Sequence, residues 1–129
     1  MDALAGADAQ AGAARQRLVD EGDAHVPQLL DIEVVSALRR LRGAGNIDET
    51  QAALALDDLA QLTLVRYPHL PLLARVWDLR SALTAYDAVY VALAEALGCA
   101  LVTADERLGR AGGAARCPIE IVRSPRGRK

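Results

Sequence analysis

The chain has 129 residues, enough for one compact domain and not for several. Hydrophobic residues make up 52% and charged residues 25%, a balance that excludes a disordered chain. The formal net charge of -2 lacks the basic excess of a typical duplex-DNA binder. With no Phe, one Trp and three Tyr, the core must be aliphatic. Cys99 and Cys117 lack metal-ligand or CxxC spacing and read as two buried free thiols in a reducing compartment. No apolar run is long enough for a membrane span, and no basic stretch followed by an apolar one opens the chain. A cytoplasmic location is expected.

In chain order, residues 2–21 read as a helix with a weak apolar face, stopped by Gly22. His25 and Val26 form a short extended piece cut by Pro27. A helix over Gln28–Arg42 follows, with Leu30, Val34, Leu38 and Leu41 at helical spacing. The next helix runs from about Asp48 to Gln61 on Ile47, Leu54, Leu56 and Leu59. Leu62–Tyr67 reads as a strand closed by Pro68. Pro71 suits the first turn of a helix to about Leu83, with Leu72, Leu73, Val76 and Leu79 inward and Trp77 beside them. Ala85–Gly98 is apolar almost all round and reads as a buried helix. Ala100–Thr103 is a buried strand, Ala104–Arg110 a short helix, and Pro118–Val122 a last strand. Strands alternating with helices imply an α/β fold around a parallel sheet, whose ligands sit outside the carboxyl ends of the strands. One domain over residues 1–129 is expected. Residues 123–129, with Arg123, Arg126, Arg128 and Lys129, form a basic and flexible tail.

Three acids fall where this architecture places chemistry. Glu33 lies in the first turns of the second helix, Asp87 at the start of the buried helix, and Asp105 just after the Leu101–Thr103 strand. Each also has a structural explanation. Thr84 to Asp87 and Thr103 to Glu106 both fit capping boxes, and Glu33 suits a solvated helix face. Together they say more. An acid on a buried helix needs a partner, and converging acids repel unless a cation sits among them. Oxygen ligands without His or Cys suit Mg²⁺ or Mn²⁺, and such a site suits phosphate-ester hydrolysis. The acids do not choose between RNA and DNA, or between a diester and a monoester.

Thr84-Ala-Tyr-Asp87 through Gly98, followed by Leu101-Val-Thr-Ala-Asp-Glu-Arg-Leu108, closely resembles the PIN domain, and more narrowly the VapC toxin ribonucleases. Val26–Arg40, Arg66-Tyr-Pro-His69 and Cys117–Val122 are similar to further motifs of the same family. The resemblance implies an α/β/α sandwich with a central parallel sheet. It implies an endoribonuclease that uses Mg²⁺ or Mn²⁺, held by Glu33, Asp87 and Asp105 as catalytic and metal-binding acids, with Thr103 in support. It further implies an RNA substrate such as transfer RNA, a homodimer, and silencing by a VapB-type antitoxin. The family also opens with a central strand ending in an Asp, the first metal ligand. Met1–Gly6 resembles instead the helix that follows that strand. The central strand and first acid are therefore expected to be missing, through a start site set too far downstream or a true truncation. Such a chain should be poorly stable and bind metal weakly. Asp2 is expected in that helix, not at the site.

His25 and His69 read as loop or surface residues. Tyr86 and Tyr90, four positions apart, are core residues or, for Tyr86, a base-stacking platform. Arg39 and Arg40 are a solvated helix end or contacts to RNA phosphates. Trp77 and Leu79 are core or a dimer face. Two other functions compete: a PIN-fold binding module that captures antitoxin or RNA without cutting it, and a haloacid dehalogenase-type phosphatase. The latter needs a DxDx[TV] strand near the start and a catalytic Lys, and the only Lys here is Lys129.

Overall fold

The structure, a computed structural model, describes residues 2–4, 24–110 and 112–121. Its strands are β1 (Asp2–Leu4), β2 (Ala24–Pro27), β3 (Leu64–Tyr67), β4 (Ala100–Thr103) and β5 (Ile119–Ile121). They form one parallel sheet in the order β3-β2-β1-β4-β5. The expected missing strand and the expected helix at Asp2 are both corrected. Asp2–Leu4 fills the central position, with Ala3 between His25 and Leu101. A central slot presents unpaired backbone groups on two sides. Satisfying them outweighs the helical preference of Ala and Leu. The two open edges that a missing strand would leave are therefore closed. The rest of the expected helix over 2–21, Asp8 included, and the basic tail over 123–129 lie outside the described residues.

The helices are α1 (Leu29–Gly43), α2 (Glu49–Gln61), α3 (Leu73–Asp78), α4 (Ala85–Leu97) and α5 (Glu106–Arg110), with 3₁₀ turns at Leu70–Leu72 and Gly112–Ala114. Local chemistry sets their ends. Asp48 and Gln51 exchange side-chain and backbone hydrogen bonds of 2.8 and 2.9 Å, closing a capping box on α2. Gly98 ends α4 at φ 68°, where a side chain would be strained. Gln28 makes no side-chain cap on α1. His69 Nε2 takes that role across the fold, accepting from the Leu29 N–H at 3.0 Å.

The two faces of the sheet are covered by different helices, which gives the sandwich. Along β4, Leu101 packs with α3 and α4, while the next residue, Val102, packs with Val26, Leu30 and Val34 beneath α1. α4 is the central packing element, with every residue from Ala88 to Ala94 buried. The expected helix to Leu83 stops at Asp78. Leu72 and Leu79 are buried, but Leu73 is 49% exposed and Trp77 65% exposed, correcting the inward placement of both. The Arg80 guanidinium stacks over the Trp77 ring at 4.2 Å. Cys99 is buried and Cys117 half-buried, both as free thiols.

Candidate active site

The parallel topology brings the three acids toward one end of the sheet. β2 runs into α1, which carries Glu33, and β4 runs into the turn with Asp105. α4 leads antiparallel into β4, so its first turn, with Asp87, lies at the carboxyl ends of the strands. The strand order reverses between β1 and β4, the position where such folds hold ligands.

Asp105 is set by a tight turn. The buried Thr103 hydroxyl accepts from the Asp105 N–H at 3.0 Å, and Asp105 Oδ1 accepts from the Arg107 N–H at 2.9 Å. The Arg107 guanidinium also grips this carboxylate, with Nε 3.2 Å from Oδ1 and Nη2 2.8 Å from Oδ2. That hydrogen bonding, more than any other influence, holds the Asp105 carboxyl below the usual range. Asp87 behaves oppositely. Burial raises its pKa, and the negative charge of Asp105 raises it further. The Thr84 hydroxyl caps α4, accepting from the Asp87 N–H at 3.2 Å.

Glu33 is half-buried and accepts a short hydrogen bond from the Tyr90 hydroxyl. Tyr90 lies one turn beyond Asp87 on α4, so Glu33 is joined to the helix that carries Asp87. Burial of the ring, then the Glu33 carboxylate, hold the Tyr90 phenol protonated far above its ordinary pKa. Tyr90 is 1% exposed and Tyr86 64% exposed, so the two tyrosines divide between core and surface. Arg39 and Arg40 are exposed on α1.

The structure thus places Asp87 and Asp105 within each other's field and holds Glu33 one side chain away. The three do not close into one group: among the described residues, no three His, Cys, Asp or Glu side chains are grouped to hold a metal ion. Mg²⁺ keeps several waters and commonly takes only one or two carboxylates, so the repelling Asp87–Asp105 pair fits it. Asp2 aligns with Ala100, at the far end of β1 from this site. Sequence reasoning missed Arg107, although its place two residues after Asp105 is that of an Asx-turn partner. It also missed Asp31, which holds Arg66 by two bonds of 2.7 and 3.0 Å and so fixes β3 to α1. His25 lies in β2, not in a loop, with Nδ1 2.7 Å from the Tyr67 hydroxyl.

A family model described as PIN domain matches residues 2–114. Ribonuclease VapC9 of Mycobacterium tuberculosis H37Rv is 49% identical over 111 residues, 86% of this chain and 86% of that protein. Ribonuclease VapC1 of the same strain is 48% identical over 124 residues, 95% and 92% of the two chains. The chain belongs to the VapC family of PIN-domain ribonucleases. Its fold is also that of PAE2754 from Pyrobaculum aerophilum, whose crystal structure matches with a TM-score of 0.69 at 23% identity, covering 94% of this chain and 84% of that one. Among the described residues of this VapC family member, no helix is long and apolar enough to cross a membrane.

Proposed function

We propose that the chain is an endoribonuclease that hydrolyses RNA phosphodiester bonds with Mg²⁺ or Mn²⁺ held by the Asp87–Asp105 pair, with Glu33 beside it. The observation that carries this reading is the Asp87–Asp105 pair at the carboxyl end of a parallel sheet, where burial and then the charge of Asp105 raise the pKa of Asp87. Relatives named as ribonucleases support RNA as the substrate. A divalent cation bound there lowers the pKa of a water and neutralises charge on the scissile phosphate. The protein's own contribution is positional. Thr103 fixes the turn that presents Asp105, and the Thr84 cap fixes Asp87. Tyr90 orients Glu33 and keeps its phenol proton. Tyr86, exposed beside Asp87, offers a stacking surface for a base, and Arg39 and Arg40 offer contacts to RNA phosphates.

The VapC kinship supports a toxin of a type II toxin–antitoxin pair with an antitoxin partner; a homodimer, a VapB-type silencer and a transfer-RNA substrate complete the proposed reading. Ile32 and Val35 on α1 are 67% and 47% exposed, and Leu54 on α2 is 57% exposed, which suits burial by a partner. A second reading is a PIN-fold module that binds RNA or antitoxin without cutting. It is favoured by one observation: among the described residues, β1 ends at Leu4 and supplies no carboxylate at its carboxyl end.

The experiment is digestion of total RNA by the full chain in Mg²⁺ or Mn²⁺, beside Asp87→Asn and a chelator control. Discrete cleavage that disappears in both controls supports the ribonuclease. RNA that is bound yet left whole in either metal transfers the argument to the binding module.

A further inference from the structure

The Asp105 carboxylate is held chiefly by Arg107, with a further backbone hydrogen bond from Leu108. The Arg107 backbone N–H at 2.9 Å, Nε at 3.2 Å and Nη2 at 2.8 Å cover both oxygens. A carboxylate covered in this way cannot offer its full charge to a cation. The guanidinium also feels Asp87, so it lies in the field of both acids that the cation reading assigns. The two partners differ sharply in exposure: the Arg107 side chain is 78% accessible and that of Asp105 21%. Arg107 reaches in from solvent, and nothing else described holds it.

Other arginines serve the fold itself. Arg66 is held in a two-bond fork by Asp31 and Arg75 in one by Glu95, both tying elements of the fold together. Arg107 ties no two elements together, because its partner is two residues away on the same turn. With the guanidinium facing solvent, the pair is screened and open to a competing cation. A displaced Arg107 stays anchored at the start of α5, next to the acids. Its planar fork matches the paired oxygens of a phosphodiester.

We propose that Arg107 is a substrate-phosphate clamp that rests on Asp105 and moves to the RNA backbone when Asp105 takes a divalent cation. The proposal rests on the cation reading above. It makes metal and RNA binding mutually supportive: the cation releases the clamp, and the clamp then holds the phosphate. It also makes Arg107 and the cation competitors for one carboxylate.

The test uses the full chain, Arg107→Gln and Arg107→Lys, with circular dichroism to confirm the fold. Mn²⁺ affinity is measured by electron paramagnetic resonance. Affinity for a labelled RNA oligonucleotide is measured by anisotropy before turnover, with and without Mn²⁺. Arg107→Gln is expected to bind Mn²⁺ several-fold more tightly and RNA on the order of tenfold more weakly in Mn²⁺, with the salt slope of RNA binding reduced by about one. Arg107→Lys keeps the charge without the fork and is expected to fall between. Mn²⁺ binding by the parent chain that is unchanged in Arg107→Gln overturns the competition. Tighter Mn²⁺ binding with unchanged RNA affinity overturns the clamp and leaves Arg107 a counter-ion. Absence of Mn²⁺ binding in the parent chain overturns the cation reading itself, and the proposal with it.

Discussion

Asp87 is placed where its charge is unfavourable to the fold. Burial, then the charge of Asp105, raise its folded pKa above that of the unfolded chain. The penalty is absent below the ordinary aspartate pKa, grows as pH rises, and is complete above the raised value. Asp87→Asn is therefore expected to raise Tm at neutral pH, with the gain fading as pH falls through the aspartate range. Thermal unfolding at several pH values checks this. The same substitution is expected to abolish cleavage, a trade of stability for function at one position. Tyr90→Phe removes the donor that orients Glu33. Loss of such an orienting bond costs about 10–100-fold in activity, and cleavage rates of the variant should fall in that range. His69 has the opposite character. It caps α1, so His69→Ala is expected to cost ~1 kcal/mol in denaturant unfolding and to leave cleavage within a few-fold, whereas a general base would lose far more. Glu33, Asp87 and Asp105 were visible in the sequence through their places after strands and on a buried helix. The His69 cap and the Tyr90–Glu33 bond were not. The first joins residues 40 positions apart and the second residues 57 apart, and no periodicity reports on such pairs.

At the level of elements, Glu95 on α4 ties together α3 and the segment before β5. Arg75 from α3 grips it with bonds of 2.6 and 3.0 Å, and the Arg116 N–H donates to it at 2.6 Å just before β5. Arg75 also donates to the Ala114 carbonyl at 3.0 Å. Burial alone would raise the Glu95 pKa, but the Arg75 and Arg116 bonds outweigh it and leave the carboxyl below its usual range. Its stabilisation is present above the unfolded glutamate pKa and is lost as pH falls through the lower folded value. Glu95→Gln is expected to cost about 2 kcal/mol at neutral pH, with the gap to the parent chain closing in acid, as urea melts would show. The helix boundaries were legible where caps mark them, as at Asp48 and Gly98. α3 was not. Leu72, Val76 and Leu79 form one stripe, and Leu73 and Trp77 another one residue over, so spacing admits either as the inner face. The structure buries the first and leaves Trp77 to Arg80.

The whole molecule places its site by topology. Alternation of strands and helices was enough to read the parallel sheet and to locate chemistry at the carboxyl ends of the strands. It was not enough to find β1. Three residues, Asp-Ala-Leu, carry no period that separates strand from helix, and their state is set by the slot between β2 and β4. The central claim is that the Asp87–Asp105 pair holds a divalent cation. The most direct measurement is a titration of the full chain with paramagnetic Mn²⁺, read on backbone amide NMR signals. The amides of Thr84, Asp87, Asp105 and Arg107 are expected to broaden first, well before those of Asp48 and Glu95, and to be spared in Asp105→Asn. Broadening that begins elsewhere, or that survives in Asp105→Asn, would contradict the central claim.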